Sequence, residues 1–295
     1  MFTAATELNG LQFSKGHGTR NDFVLYADPL GKRPLSAAGA AWLCNRRSGI
    51  GGDGAIRAVL VEHADFAVAS TGDQLTGSAR WLMDYRNADG SLAEMCGNGL
   101  RVFVAFLRQA GLLTLADGEV EPIATRGGIF AVRRQGEMYE VNLGKAPDLT
   151  VPALSKVTVP GLPGERDGVL LHLPNPHVVV AVTQAEKAKL DLTVPPILVP
   201  APASGANVEF VTLLKSADCG QAELRVYERG VGETESCGTG VAAAASVLRA
   251  ALPHQLDRWQ ISVPGGDLTV RFAEGNVYLA GPAVLVAEGV IRADC

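Results

Sequence analysis

No run of apolar residues in this chain approaches the roughly 18 that a membrane-spanning helix requires. The opening Met1-Phe-Thr-Ala-Ala-Thr-Glu7 has neither the basic start nor the apolar core of a signal peptide. A cytoplasmic protein without a membrane partner is therefore expected. Charge is sparse too: 19% of the 295 residues are Asp, Glu, Lys or Arg, and the net charge is −5. That balance speaks against a nucleic-acid partner. Cysteine is scarce and odd in number. Cys44, Cys96, Cys219, Cys237 and Cys295 include no C-x-x-C pair, so neither a disulfide framework nor a zinc site is expected, and a reducing compartment fits. No lysine stands out as an anchor for pyridoxal phosphate, and no metal or other cofactor is implied. What is plentiful is apolar: 47% hydrophobic residues, over a length suited to about two domains.

The chain turns on Asn87-Ala-Asp-Gly-Ser-Leu-Ala-Glu-Met-Cys-Gly-Asn-Gly-Leu-Arg101. A turn-rich loop leads to Cys96, and Leu100, Val102, Phe103, Val104, Phe106 and Leu107 then cover the whole helical wheel, which predicts a buried helix. Cys96 stands at its mouth, where unpaired backbone N–H groups and about half a positive charge are presented. Such a site can hold a carboxylate. It can also lower a thiol pKa from about 8.5 to roughly 3.5–7.5. A lone cysteine near a helix start reads as a small buried hydrophobe, but here the device is repeated. Glu235-Ser-Cys-Gly-Thr-Gly240 echoes Glu94-Met-Cys-Gly-Asn-Gly99 and opens the apolar run Val241 to Leu252, closed by Pro253.

The rest reads as short strands and turns. Leu11 to Ala27 predicts two strands joined by a Gly16-His-Gly18 turn. Ser36 to Cys44 has helical spacing, and residues 62–82 read as strand and turn. Asp117-Gly118 is a hairpin signal. Gly127-Gly128 reads as a domain boundary, Val151 to Gly168 as a surface connection, and Gln184 to Leu190 as a short helix.

The two halves align. Asn21-Asp-Phe-Val-Leu matches Asn175-Pro-His-Val-Val, and Gly51-Gly-Asp53 matches Gly205-Ala-Asn207, both at an offset of 154 residues. The cysteines are 141 apart. The expected fold is α/β (α+β). It has two pseudo-symmetric domains, each a strand-rich, barrel-like sheet around a buried central helix, with the active site in the cleft between them. Two thiols at one pocket suit the inversion of a carbon: a thiolate removes a proton from one face and a thiol returns one to the other. The backbone N–H groups of Gly97, Asn98, Gly238 and Thr239 are placed to stabilise the charge that develops on a neighbouring carboxylate.

These residues resemble the diaminopimelate epimerase family. Asn87-Ala-Asp-Gly-Ser with Glu-Met-Cys96-Gly-Asn-Gly, and Glu228-Arg-Gly-Val-Gly-Glu-Thr-Glu-Ser-Cys237-Gly-Thr-Gly, look like its two cysteine motifs. His17-Gly-x-x-Asn-Asp-Phe23 and Asn175-Pro-His177 look like its other markers. The resemblance implies a cofactor-independent isomerase interconverting LL- and meso-2,6-diaminopimelate, for lysine and cell-wall synthesis, working as a homodimer. It implies that Cys96 and Cys237 are the acid/base pair, and that His177 and Glu228 tune them. Asn21, Asn87, Asn98, Asn175, Asn207, Glu228 and Arg229 would hold the substrate. It also implies that the chain's last strand returns to the first domain, giving domains of 1–127 with about 280–295, and 128–279. Gly54 stands where some members carry Gln. Two rivals remain. One is a proline or hydroxyproline racemase of the same fold, in which a His tends to follow the first Cys-Gly. The other is a thiol redox protein, in which paired cysteines usually lie close together.

Overall fold

A computed structural model describes residues 7–66 and 79–292. The chain divides into two compact units. One holds the described residues of Met1–Val141 and Pro282–Cys295, the other Asn142–Gly281.

In chain order, the first unit contains β1 (Gln12–Gly18), β2 (Asn21–Ala27), α1 (Ala37–Cys44), β3 (Gly54–Leu60), β4 (Trp81–Asn87), α2 (Gly97–Gln109), β5 (Val120–Thr125) and β6 (Gly128–Gln135), and β7 (Met138–Lys145) carries the chain across the division. The second unit contains β8 (Ala153–Thr158), β9 (Arg166–His172), β10 (Pro176–Ala181), α3 (Gln184–Lys187), β11 (Ile197–Val199), β12 (Asn207–Ser216), β13 (Gly220–Glu228), β14 (Gly232–Thr234), α4 (Gly238–Ala251), β15 (Arg258–Val263), β16 (Gly266–Ala273) and β17 (Asn276–Pro282). A last strand, β18 (Val284–Val290), pairs with β1 in the first unit.

The two units repeat one pairing scheme. In the first, the order β18-β1-β2-β3-β4-β5-β6-β7 is antiparallel except at β2–β3 and β4–β5, which are parallel. In the second, β8-β9-β10-β12-β13-β15-β16-β17 is antiparallel except at β10–β12 and β13–β15. Parallel neighbours need a crossover, and each crossover carries a helix: α1 and α2 in the first unit, α3 and α4 in the second. The first copy takes its outermost strand from the end of the chain.

Burial explains the elements. Phe23 to Tyr26 of β2 are each at 0% exposure, an uninterrupted apolar run covered on both faces. Leu100, Val102, Phe103, Val104 and Leu107 of α2 are also fully buried, each contributing about 1.5–3 kcal/mol. In α4 the run Ala242 to Ala245 is small and buried throughout. Ser36 caps α1 by accepting a bond from Gly39 N at 3.0 Å.

Several expectations are corrected. Gly16-His-Gly18 lies within β1, and the turn is Thr19-Arg20, with φ of 50° and 65°. Asp117-Gly118 is a turn ahead of β5 rather than a link between paired strands. Gly127 falls in the β5–β6 turn, inside the first unit. The stretch from Val151 to Gly168 is not a plain connection: it holds β8, which turns Ser155 and Val157 inward, and the start of β9. Part of the strand and turn expected at 62–82 lies outside the described residues.

Candidate active site

Cys96 and Cys237 are the N-caps of α2 and α4. Neither helix has an acidic residue in its first turn, so nothing on the helix neutralises the positive end of its dipole. Both glutamates of the E-x-C-G-x-G motif tie the approach loop to a hairpin through their main chains: Glu94 O accepts from Gly127 N at 2.9 Å, and Glu235 O from Gly265 N at 2.9 Å.

In the first unit, Gly99 N donates to Cys96 Sγ at 3.4 Å. Asn21 Oδ1 lies 3.6 Å from Cys96 Sγ and accepts from Asn98 Nδ2 at 3.3 Å. Asn21 is held in turn by Asp53, whose Oδ2 accepts from its Nδ2 at 2.9 Å. Asp53 and Asp22 share the Arg46 guanidinium, and Asp22 also bonds Lys15. Burial works to raise the Asp22 pKa, but the bonds from Arg46 and Lys15 outweigh it and hold the carboxyl well below its usual range. Asn21, Asn98 and Cys96 are thus brought together. Asn87 is not joined to them: its side chain donates to Ser91 Oγ at 3.0 Å and serves its own turn.

In the second unit, Asn207 Nδ2 donates to Cys237 Sγ at 3.5 Å, and Thr239 Oγ1 lies 3.6 Å from the same sulfur. Asn207 Oδ1 accepts from Arg229 N at 3.1 Å. The Arg229 guanidinium is exposed and donates to Ser204 O at 2.7 Å. His177 is wholly buried; its Nδ1 donates to Glu209 Oε1 at 2.7 Å and its Nε2 lies 3.1 Å from Asn175 Oδ1. Burial raises the Glu228 pKa, and the Glu209 charge adds to the rise. Burial, then Glu228 and Glu209, push the Cys237 thiol well above its ordinary value. The lowering expected at a helix mouth is therefore reversed at Cys237, because two carboxylates and desolvation outweigh the dipole.

The strand registers show which positions of the two copies correspond. Phe23 stands opposite Gly54, and His177 opposite Asn207. Gly54, not Asp53, is therefore the counterpart of Asn207, one residue off the sequence match. A Cβ at Gly54 would lie 2.3 Å from the Tyr85 ring, which fills the space a side chain would take. Counting on along the strands pairs Ile56 with Glu209, and Asn87 with Glu228. The third residue after each cysteine confirms the first of these pairs. A Cβ on Gly99 would meet Ile56 Cδ1 at 3.5 Å and Phe23 at 3.6 Å, and one on Gly240 would meet Glu209 Oε1 at 2.5 Å. Beneath α2 lies an apolar pair, and beneath α4 a His–Glu pair.

Sequence reasoning missed Glu209 and Arg101. The available signal was a single charge inside an apolar run, Asn207-Val-Glu-Phe-Val and Leu100-Arg-Val-Phe-Val, since such residues are seldom fully buried without a purpose. Among the described residues, no cluster of three or more His, Cys, Asp or Glu is placed to hold a metal ion, and no helix is long and apolar enough to cross a membrane.

Comparison with known proteins supplies the family. The family model described as diaminopimelate epimerase matches residues 13–147 and 170–286. The diaminopimelate epimerase of Thermobifida fusca is 43% identical over 285 residues, covering 96% of this chain and 98% of that protein. Among solved structures, a phenazine biosynthesis protein of the PhzF family from Enterococcus faecalis superposes with a TM-score of 0.62 at 15% identity, covering 95% and 98% of the two chains. A hydroxyproline epimerase from Agrobacterium vitis does so at 0.55 and 14%, covering 95% and 90%. At those identities the structures share a fold with this chain and no more.

Proposed function

The chain belongs to the diaminopimelate epimerase family, and from that premise we propose how its residues interconvert LL- and meso-2,6-diaminopimelate. The observation that carries the reading is the pair of helices with a cysteine at the N-cap position, Cys96 on α2 and Cys237 on α4. In the ionised form, one thiol takes the α-proton. The other, protonated, delivers a proton to the opposite face of the same carbon, and the reverse reaction exchanges the roles. The N–H groups of Gly97, Asn98, Gly238 and Thr239 stabilise the α-carboxylate as it gains charge. Loss of one such donor in other enzymes costs about 2.7–4 kcal/mol of barrier. Asn21, Asn87, Asn98, Asn175, Asn207 and Arg229 bind the substrate. His177 and Glu228 adjust Cys237. Arg229 supplies a fork suited to a carboxylate. The reaction proceeds with these side chains alone.

We place the enzyme in the cytoplasm as a homodimer serving lysine and peptidoglycan precursor synthesis; membership of the family is what supports this placement. Proton NMR in deuterium oxide tests the substrate. Solvent deuterium should enter the α-position of LL- and meso-diaminopimelate and leave proline untouched. Exchange into proline would move the chain to the racemase reading, and exchange into neither would return it to a redox role.

A further inference from the structure

The two copies differ most in charge. Cys237 has Glu228 and Glu209 as electrostatic neighbours, and Ala242 lies five residues into its helix. At the corresponding positions Cys96 has Asn87 and Ile56, and five residues on stands Arg101. Arg101 is at 0% exposure. Its Nη1 donates to Pro282 O at 2.9 Å, and its Nη2 to Asn98 Oδ1 and, at 3.5 Å, to Thr19 Oγ1. All three acceptors are neutral, and Nε is buried with no hydrogen-bond partner among the described residues. Gly18 packs against it so closely that a Cβ there would lie 3.1 Å from Nη2. Among the described residues no carboxylate forms an ion pair with it. The acidic side chains closest to this half-site by bonding, Asp22 on β2 and Asp53 just before β3, are already matched by Lys15 on β1 and Arg46 after α1.

A buried guanidinium without a counter-charge is unfavourable, and a fold that keeps one supplies an anion. Arg101 reaches the thiol through two amides: its Nη2 donates to Asn98 Oδ1, Asn98 Nδ2 donates to Asn21 Oδ1 at 3.3 Å, and that oxygen lies 3.6 Å from Cys96 Sγ. Burial pulls the guanidinium down to about 10, and a charge on Cys96 works against that pull. We propose that Arg101 is the counter-cation of a Cys96 thiolate, a positioning residue that makes Cys96 the base and Cys237 the acid of the free enzyme. The assignment rests on the two-thiol reading above. The cycle then has a direction. The Cys96 thiolate accepts the α-proton and becomes a thiol, while Cys237 gives up its proton to the other face and becomes a thiolate. The enzyme returns to its resting form by losing the Cys96 proton to solvent and regaining one at Cys237. The opposing state is a Cys96 thiol donating to Asn21 Oδ1 across the 3.6 Å contact.

Two measurements on the full chain decide between them. Ultraviolet thiolate absorbance at neutral pH should fall in Cys96→Ala and persist in Cys237→Ala. Cys44 does not confuse the reading, since burial pushes it up to about 12. Loss of the signal in Cys237→Ala instead, or in neither variant, overturns the assignment. Alkylation by iodoacetamide, mapped peptide by peptide, tests the cation. Arg101→Met should slow Cys96 by about tenfold or more, the effect of one pKa unit, and leave Cys237 unchanged; an unchanged Cys96 rate overturns the role of Arg101. Should the Met variant fail to fold, Arg101→Lys decides, because it keeps the charge: a Cys96 rate near wild type supports the proposal, and a tenfold loss overturns it. A thiolate at Cys96 without deuterium entering diaminopimelate would sink the functional reading alone. Deuterium exchange with the thiolate at Cys237 would sink this assignment alone.

Discussion

Glu209 Oε1 lies 2.7 Å from His177 Nδ1, with both side chains at 0% exposure, in the place where the other copy has Ile56 and Phe23. The duplicated fold therefore tolerates either an apolar or an ionisable pair beneath the helix mouth. Breaking a buried pair costs about 3–5 kcal/mol, whereas replacing both partners by packed apolar groups is often neutral or stabilising. His177→Phe alone and Glu209→Ile alone should each cost stability on that scale in a denaturant titration. The double variant should recover most of the loss. Epimerase activity should stay impaired in the double variant, because Cys237 and Asn175 lose their charged neighbour and their imidazole. Full activity in a stable double variant would make the pair structural.

Removal of either thiol should abolish epimerisation. Cys96→Ala and Cys237→Ala each retain one acid/base group, so each should still exchange the α-proton of one stereoisomer slowly. Retention of more than about a hundredth of the wild-type rate, the low end of what a general acid or base supplies, would rule out a two-base mechanism. Coupled-assay rates with both stereoisomers provide the check.

Much of this was readable because repeated signals survive in sequence. The apolar wheel after Cys96 and the second Cys-Gly-x-Gly mark α2 and α4 in the sequence itself, and the cysteines, Asn21, Asn98 and Asn207 do gather at the helix mouths. What was hidden depends on register and burial. β8 escaped because its inward residues include Ser155 among Pro and Gly, so the apolar alternation is broken. Glu209 and Arg101 escaped because a charged residue in an apolar run is ordinarily assigned to the surface. Gly54 could be paired with Asn207 only through hydrogen-bonded strands, since the sequence match is one residue off.

The Cys237 thiol should respond to the charge beside it. Burial raises its pKa first and Glu228 second. Glu228→Gln removes the second cause, so the thiol should ionise at lower pH, and Cys237 alkylation should accelerate at a fixed, mildly alkaline pH. The same shift bears on stability. A group whose folded pKa is raised stabilises the fold fully below its unfolded pKa, and that contribution fades as pH rises towards the folded value. Wild-type stability should therefore decline from the ordinary thiol range upward, and the decline attributable to Cys237 should be smaller in Glu228→Gln. Denaturation midpoints across alkaline pH, with Cys237→Ala as the reference, measure it. An alkylation profile unmoved by the substitution would show that Glu228 does not act on the thiol.

Arg229 offers the sharpest test of substrate holding. Its backbone N–H fixes Asn207, its Nη1 rests on Ser204 O, and the rest of its guanidinium faces outward. Only the guanidinium is altered by Arg229→Lys, so the Asn207 bond and with it the Cys237 contact should remain. Lysine keeps the positive charge but loses the planar fork that grips a carboxylate through two bonds. One charge-assisted hydrogen bond is worth about 1.5–3 kcal/mol, so kcat/KM should fall by roughly tenfold or more. The melting temperature should stay close to wild type, because the side chain is exposed and little packing is lost. Steady-state kinetics alongside thermal unfolding separate the possibilities: a large drop in melting temperature with unchanged kcat/KM would assign Arg229 to the turn it helps to close rather than to the substrate.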